Sequence, residues 1–140
     1  MMGKGKWLFT FFLIVVLTGS LEGQDRKDIR DKDIVSITVN EYFIEEGLDE
    51  PLVESIEKYN EDGEVIELKE FNKRGVITRW EKYTYDEDRN VIEEIFLDAR
   101  GKVTRTEKSI FEDGFRVEKH YFNERDKLFK KKVYVYEYSE

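Results

Sequence analysis

From Asp33 onward, apolar and polar residues alternate with a period of two. Successive side chains of a strand point to opposite faces, so this spacing predicts strands rather than helices. The runs 34–44, 51–59, 64–71, 76–85, 91–97, 102–111, 115–122 and 128–138 are rich in the β-branched and aromatic residues that favour strands. Pro51 opens the second run, a position where a strand tolerates proline. Between the later runs lie NEDG, NKRG, DEDRN, DARG, EDG and NERDK. These are turn stretches: Asn and Asp bond to the local backbone, and Gly enters positive φ without steric cost. Gly63, Gly75, Gly101 and Gly114 fall where that freedom is needed. Arg89–Asn90 stands in for glycine in one turn, with Asn90 the expected left-handed residue, and Asp126 takes the equivalent place in the last. Turns recur about every 11 to 15 residues, which suits strands joined in succession by tight hairpins. The expectation is an all-β fold, an antiparallel meander of about seven or eight strands, with edges at 34–44 and 128–138.

Neither face of these strands is purely apolar. In 76–85 one face carries Val76, Thr78, Trp80, Lys82 and Thr84, and the other carries Ile77, Arg79, Glu81, Tyr83 and Tyr85. In 115–122, Phe115, Val117, Lys119 and Tyr121 oppose Arg116, Glu118, His120 and Phe122. A sandwich alternates more cleanly. Mixed faces predict a thin, curved or rolled sheet in which long charged side chains cover apolar neighbours with their stems.

Ahead of the strands the pattern changes. Lys4 and Lys6 precede an apolar run from Trp7 to Leu17, and Thr18, Gly19, Ser20 and Gly23 follow. The run has the length of a signal-peptide core and is short for a membrane span. Residues 1–23 are expected to be a signal helix, cleaved after Ser20 or near Gly23, with an uncleaved membrane anchor as the alternative. Residues 24–33 hold DRKDIRDKD, which lacks an apolar stripe and reads as a charged flexible leader. The β domain is then 34–140. The expected location is periplasmic or secreted, with no membrane span after cleavage.

Charge narrows the partners. The chain has 24 Lys and Arg against 32 Asp and Glu, a net charge of −8. Loss of residues 1–23 removes Lys4, Lys6 and Glu22 and leaves 22 against 31, or about −9. An acidic surface is unsuited to nucleic acid, which needs a basic patch. The one basic cluster, Lys127–Lys132, falls in a strand. Cysteine is absent, so stability rests on burial and hydrogen bonds and no thiol chemistry is available. Aromatics make up 14% of the chain, against the composition of a disordered one.

Candidate chemistry is sparse. His120, the one histidine, sits among charged neighbours and reads as a surface residue. No nucleophile elbow or phosphate-binding loop is present. Glu93–Glu94 and Asp86–Asp88 are pairs of the kind a carboxylate hydrolase uses, but nothing in their spacing marks them out. Asp86, Asp88 and Asn90 have the alternate spacing that opens a calcium-binding loop, yet Val91 and Leu97 stand where its glycine and bidentate glutamate belong. The remaining binding candidates are aromatic: Trp80, and Tyr134, Tyr136 and Tyr138 expected on one face of the last strand.

YNEDGEVIE, YDEDRNVIEE and LDARGKVTRTEKSIFEDG resemble the tyrosine–aspartate (YD, Rhs-type) hairpin repeats of exported bacterial proteins and the MORN-variant hairpin repeats of small bacterial proteins. The resemblance spans about residues 52–138. It departs from the repeat pattern at Arg89, where glycine is expected, and in the spacing after Phe96 and Phe111. It implies a β-meander scaffold, shell or interaction module, and carries over no catalytic residue. Together these readings predict an exported, non-enzymatic binding or structural module with an acidic, aromatic-bearing sheet surface and no cofactor. Its expected partners are a protein or a glycan, with self-association through the sheet edges. The alternatives are a small carboxylate hydrolase and a weakly calcium-dependent adhesive repeat.

Overall fold

A computed structural model describes residues 25–47 and 50–139. The expected signal segment and its cleavage site lie outside the described residues. Eight antiparallel strands follow one another in a single open sheet, in sequence order. They are β1 (Ser36–Glu41), β2 (Leu52–Tyr59), β3 (Val65–Phe71), β4 (Ile77–Tyr85), β5 (Val91–Leu97), β6 (Val103–Glu112), β7 (Phe115–Asn123) and β8 (Leu128–Val133). The meander expected from the alternation is the observed architecture. Among the described residues no helix is long and apolar enough to cross a membrane.

Five of the turns are built alike. In each, an Asn or Asp accepts through its side chain from the backbone N–H groups that follow. Asn60 accepts from Asp62 and Glu64, Asn72 from Arg74 and Val76, Asp98 from Arg100 and Lys102, and Asn123 from Arg125 and Lys127. Asp86 accepts from the N–H of Asn90 at 2.8 Å. The residue three places after the Asn or Asp donates its own N–H back to that residue's carbonyl and takes a left-handed φ. That geometry is a tight turn closed by a one-residue bulge, and each of these hairpins shows the matching register shift. In the DEDRN turn the left-handed residue is Arg89, at φ 66°, not Asn90. Asn90 instead supplies the N–H and side-chain amide that Asp86 binds. Asp126 takes the position as expected, at φ 57°. The β6–β7 turn is shorter, with Asp113 and Gly114 both left-handed between the paired Glu112 and Phe115, the mirror-image turn that matches strand twist.

Three segments differ from expectation. The stretch read as a flexible leader contains helix α1 (Arg26–Asp31). Asp25 caps it by accepting from the N–H of Lys27, and its one apolar residue, Ile29, is only 2% exposed. A single well-buried side chain fixes a helix too short to show a stripe. The first strand stops at Glu41 rather than Ile44. A bulge at Val39–Asn40 breaks its ladder, and Ile44–Glu46 form a 3₁₀ turn. The last strand stops at Val133 rather than Tyr138. Val133 pairs with Glu118, and the N–H of Tyr134 still reaches the carbonyl of Val117. Beyond that point Tyr136 meets β7 through its side chain, donating to the Arg116 carbonyl and packing on Phe115, and residues 135–138 form no ladder with residues 115–117.

The two faces of the sheet are unequally covered. One carries the lateral row Glu57, Leu68, Glu81, Phe96, Arg105 and, beside it, the row Tyr83, Glu94, Glu107, Tyr121, Lys130. It holds almost all the buried strand residues: Ser55, Glu57, Tyr59, Leu68, Glu81, Glu107, Ser109 and Tyr121. The other face carries Lys58, Glu67, Lys82, Ile95, Thr106, Phe122 and Leu128, all of them half-buried or exposed. Helix α1 packs on the first face, where Ile29 meets Tyr59, Val65 and Leu68, with Ile34, Ile37 and Tyr83 around them.

Candidate functional site

The more covered face is held together by charge. In β4 the Arg79 guanidinium binds both oxygens of Glu81, at 2.7 and 3.0 Å, and the Tyr83 hydroxyl donates to the same carboxylate. Burial would push the Glu81 carboxyl up, but the bonds from Arg79 and Tyr83 prevail and hold it below its ordinary range. The same burial, with the carboxylate as acceptor, pushes the Tyr83 hydroxyl up. In β2 Tyr59 donates to Glu57 in the same way, and its hydroxyl is also raised by burial and by that carboxylate. In β6 Arg105 sits 2.7 Å from Glu107. Glu107 lies directly across from Glu94, and the Lys119 ammonium bridges the two at 2.5 and 2.9 Å. Burial pulls the Lys119 ammonium down, and the two carboxylates more than restore it, so it is raised.

These side chains carry a repeat that the turns overshadow. RWEKY at 79–83 and RTEKS at 105–109 share Arg, Glu and Lys at identical spacing, and IEKY at 56–59 repeats the last part. Because i and i+2 share a strand face, Arg79, Glu81 and Tyr83, then Arg105, Glu107 and Ser109, and Glu57 and Tyr59, fall together on the covered side. That recurrence was the available signal for the buried carboxylates, which the turn repeat alone does not reveal.

A cleft of about 280 Å³ opens on this face beside α1. Val65, Tyr83, Tyr85 and Val91 line it from the sheet, together with Glu94. The Tyr85 hydroxyl donates to the carbonyl of Val65 at 2.6 Å, and burial pushes it up to about 12. Arg26 of α1 and Arg89 of the β4–β5 turn complete the lining around Glu64, which is 5% exposed. Arg26 approaches Glu64 at 3.5 Å and Arg89 at 3.9 Å, while the Asn60 amide donates to it at 3.0 Å. Gly63 makes the arrangement possible. A Cβ there would lie 2.5 Å from the carbonyl oxygen of Arg26 and 3.1 Å from the nitrogen of Arg30.

The candidates read from the sequence lie elsewhere. Trp80 is on the opposite face. Its indole N–H donates to Glu67 at 2.8 Å, the Lys69 ammonium sits 4.0 Å from its ring centroid, and the Gly101 backbone abuts its edge. Tyr134, Tyr136 and Tyr138 do not form a strand-borne row, because β8 has already ended. Tyr136 packs 5.2 Å from Phe115 and donates to the carbonyl of Arg116, whereas Tyr138 is 78% exposed. Asp86 spends both oxygens on Asn90, whose amide bonds hold the Asp86 carboxyl below its ordinary range. Asp88 lies exposed in the same turn. Among the described residues no three His, Asp or Glu side chains gather as a metal would need. His120 is 2.5 Å from Glu118, which also binds Lys131, on the face away from the cleft. Of the acidic pairs, Glu94 reaches the cleft and Glu93 turns to Lys108 on the other face. A search of family models, curated proteins and solved structures finds no match to this chain.

Proposed function

We propose that the chain is an exported, non-enzymatic binding module whose site is the cleft beside α1. The cleft itself carries this reading: a hollow of about 280 Å³, just under the usual size of small-molecule sites, lined by apolar and aromatic side chains with Arg26, Glu64, Arg89 and Glu94 among them. Export rests on the basic and then apolar N-terminal segment, and a scaffold role fits the resemblance to exported hairpin repeats. The test is a thermal-shift screen of a mixed small-molecule library on the full-length chain, repeated on Val91→Phe, which fills the cleft. Ligands lost in the filled variant support the reading, and a screen in which every stabilising compound acts equally on both proteins sinks it. The N-terminal residue of the exported chain, read by mass spectrometry, tests export: an intact Met1 on the recovered protein argues for the anchored alternative.

A further inference from the structure

We infer that the cleft takes a neutral sugar ring, one pyranose unit of a glycan; this rests on the cleft being the binding site. Four features of the cleft point to that chemistry together. Its volume, about 280 Å³, suits one ring and its substituents rather than an extended chain. Its sheet side presents Tyr83, Tyr85, Val65 and Val91. The hydroxyls of Tyr83 and Tyr85 both donate inside the protein, to Glu81 and to the Val65 carbonyl. With their protons committed, these tyrosines offer a ligand ring surface and an acceptor oxygen, which suit the C–H face and a hydroxyl of a pyranose.

The rim supplies the polar half. Arg26 and Arg89 balance Glu64 and Glu94, so the lining carries no net charge. A bound anion would sit against two carboxylates and a bound cation against two guanidinium groups, and either would bring an uncompensated charge into a partly desolvated space. A purely apolar ligand would strip water from four charged groups and return no hydrogen bonds. A polyhydroxyl ring avoids both costs. Arg26 donates to Glu64 at 3.5 Å, and Arg89 stands 3.9 Å from Glu64 and 3.7 Å from Asp62; each guanidinium has five N–H donors, so some remain for adjacent hydroxyls. Glu94 gives one oxygen, Oε2, to Lys119. Its other oxygen can accept from a ligand hydroxyl.

The experiment is amide and arginine side-chain NMR of the labelled full-length chain, titrated with five probes. Two are neutral glycosides, methyl β-glucopyranoside and methyl N-acetyl-β-glucosaminide. The others are benzoate as the anion, choline as the cation and indole as the apolar ring. At least one glycoside should shift the Gly63, Arg89 and Val91 signals saturably, with benzoate, choline and indole about tenfold weaker or more. Val91→Phe should abolish the shifts. Arg89→Asn, which keeps a residue tolerant of left-handed φ, should weaken glycoside binding about tenfold while signals far from the cleft stay unchanged. If a charged or apolar probe binds the cleft as tightly as both glycosides, the sugar assignment is overturned and the binding module stands. Glycoside shifts that survive Val91→Phe or are indifferent to Arg89→Asn also overturn it. If no probe shifts cleft signals and the library screen is equally blank, both readings fall.

Discussion

Gly63 and Gly75 occupy equivalent places in equivalent turns, at φ 75° and 73°, yet replacing each with alanine should have different consequences. At Gly75 nothing lies within 4 Å of the new Cβ. The cost there is the left-handed backbone alone, about 1–2 kcal/mol for an L-residue. At Gly63 the same backbone cost applies, and the Cβ also meets the Arg26 carbonyl oxygen at 2.5 Å. A backbone atom cannot swing aside as a side-chain tip would, so either the turn or α1 must move. The second penalty therefore has a ceiling, the free energy that holds α1 on the sheet. Its main part is the burial of Ile29, worth about 1.5–3 kcal/mol for an isoleucine. The Arg26–Glu64 contact, long at 3.5 Å and half in water, adds little. Gly63→Ala should thus cost more than Gly75→Ala, up to about 2.5–5 kcal/mol against about 1–2. Urea unfolding of both variants measures the difference. Hydrogen exchange at the Ile34 amide, which donates to the Ile29 carbonyl at 2.9 Å, reports whether α1 has let go. Equal losses in the two variants, with the Ile34 amide still protected, would refute the docking of α1 against this turn, and with it the wall of the cleft.

Three further outcomes follow from the charges and turns. Lys119→Met leaves Glu94 and Glu107 facing each other without the ammonium they share, with only Glu107 still paired, to Arg105; partial exposure and that remaining pair reduce the usual cost of a broken buried pair to about 2–3 kcal/mol, and adding Glu94→Gln should recover at least half of it in denaturant titrations. An additive double variant would mean the three groups are not coupled. Tyr59, Tyr83 and Tyr85 all have raised hydroxyls, the last to about 12, as does the Lys119 ammonium. A group raised on folding stabilises below its unfolded pKa and loses that contribution as pH climbs through its folded one. Stability should therefore fall between about pH 10 and 12, with part of the phenolate absorbance appearing only as the protein unfolds; complete tyrosine titration near pH 10 in a folded protein would contradict this. Asp126→Gly relieves an exposed residue at φ 57° and should raise stability by about 0.5 kcal/mol, seen as a higher Tm. A lower Tm would show that Asp126 does more than occupy the turn.

The strands were legible because two independent signals agree on them. Period-two alternation marks each run, and an Asn or Asp followed by a left-handed residue marks each break, so β2 to β7 fall within a residue or so of their expected bounds. Errors gathered at the ends, where one of the signals is missing. Helix α1 is six residues long with one apolar side chain, and no periodicity can be read from one position. The C-terminal run VYVYEY has full strand propensity, but a strand also needs a partner. Beyond Tyr134 the run meets β7 through the Tyr136 side chain rather than through backbone bonds, which period-two alternation does not show. Arg89 rather than Asn90 is left-handed because it stands three places after Asp86, the place that is left-handed in all five of these turns, so position in the turn overrides residue preference.

The candidate site was less legible for a related reason. Aromatic residues draw attention as ligand platforms, but in a one-layer sheet they are also the cover for charged neighbours. Trp80 is taken up in this way, under Lys69 and bonded to Glu67. The residues that build the cleft instead come from α1, from two turns and from four strands, so no segment of the chain contains it. What the chain does contain is the R-x-E-K-Y/S recurrence in β4 and β6. It puts ionised carboxylates on the covered face and ties hydroxyl and guanidinium groups to them. An apolar core would make that face featureless and dry. With only Ile29, Tyr59, Val65, Leu68 and Tyr121 as buried apolar residues among those described, the sheet relies on paired charge over much of its covered side. The cost of that choice is a hollow beside α1 that the apolar side chains do not fill, and the cleft occupies it.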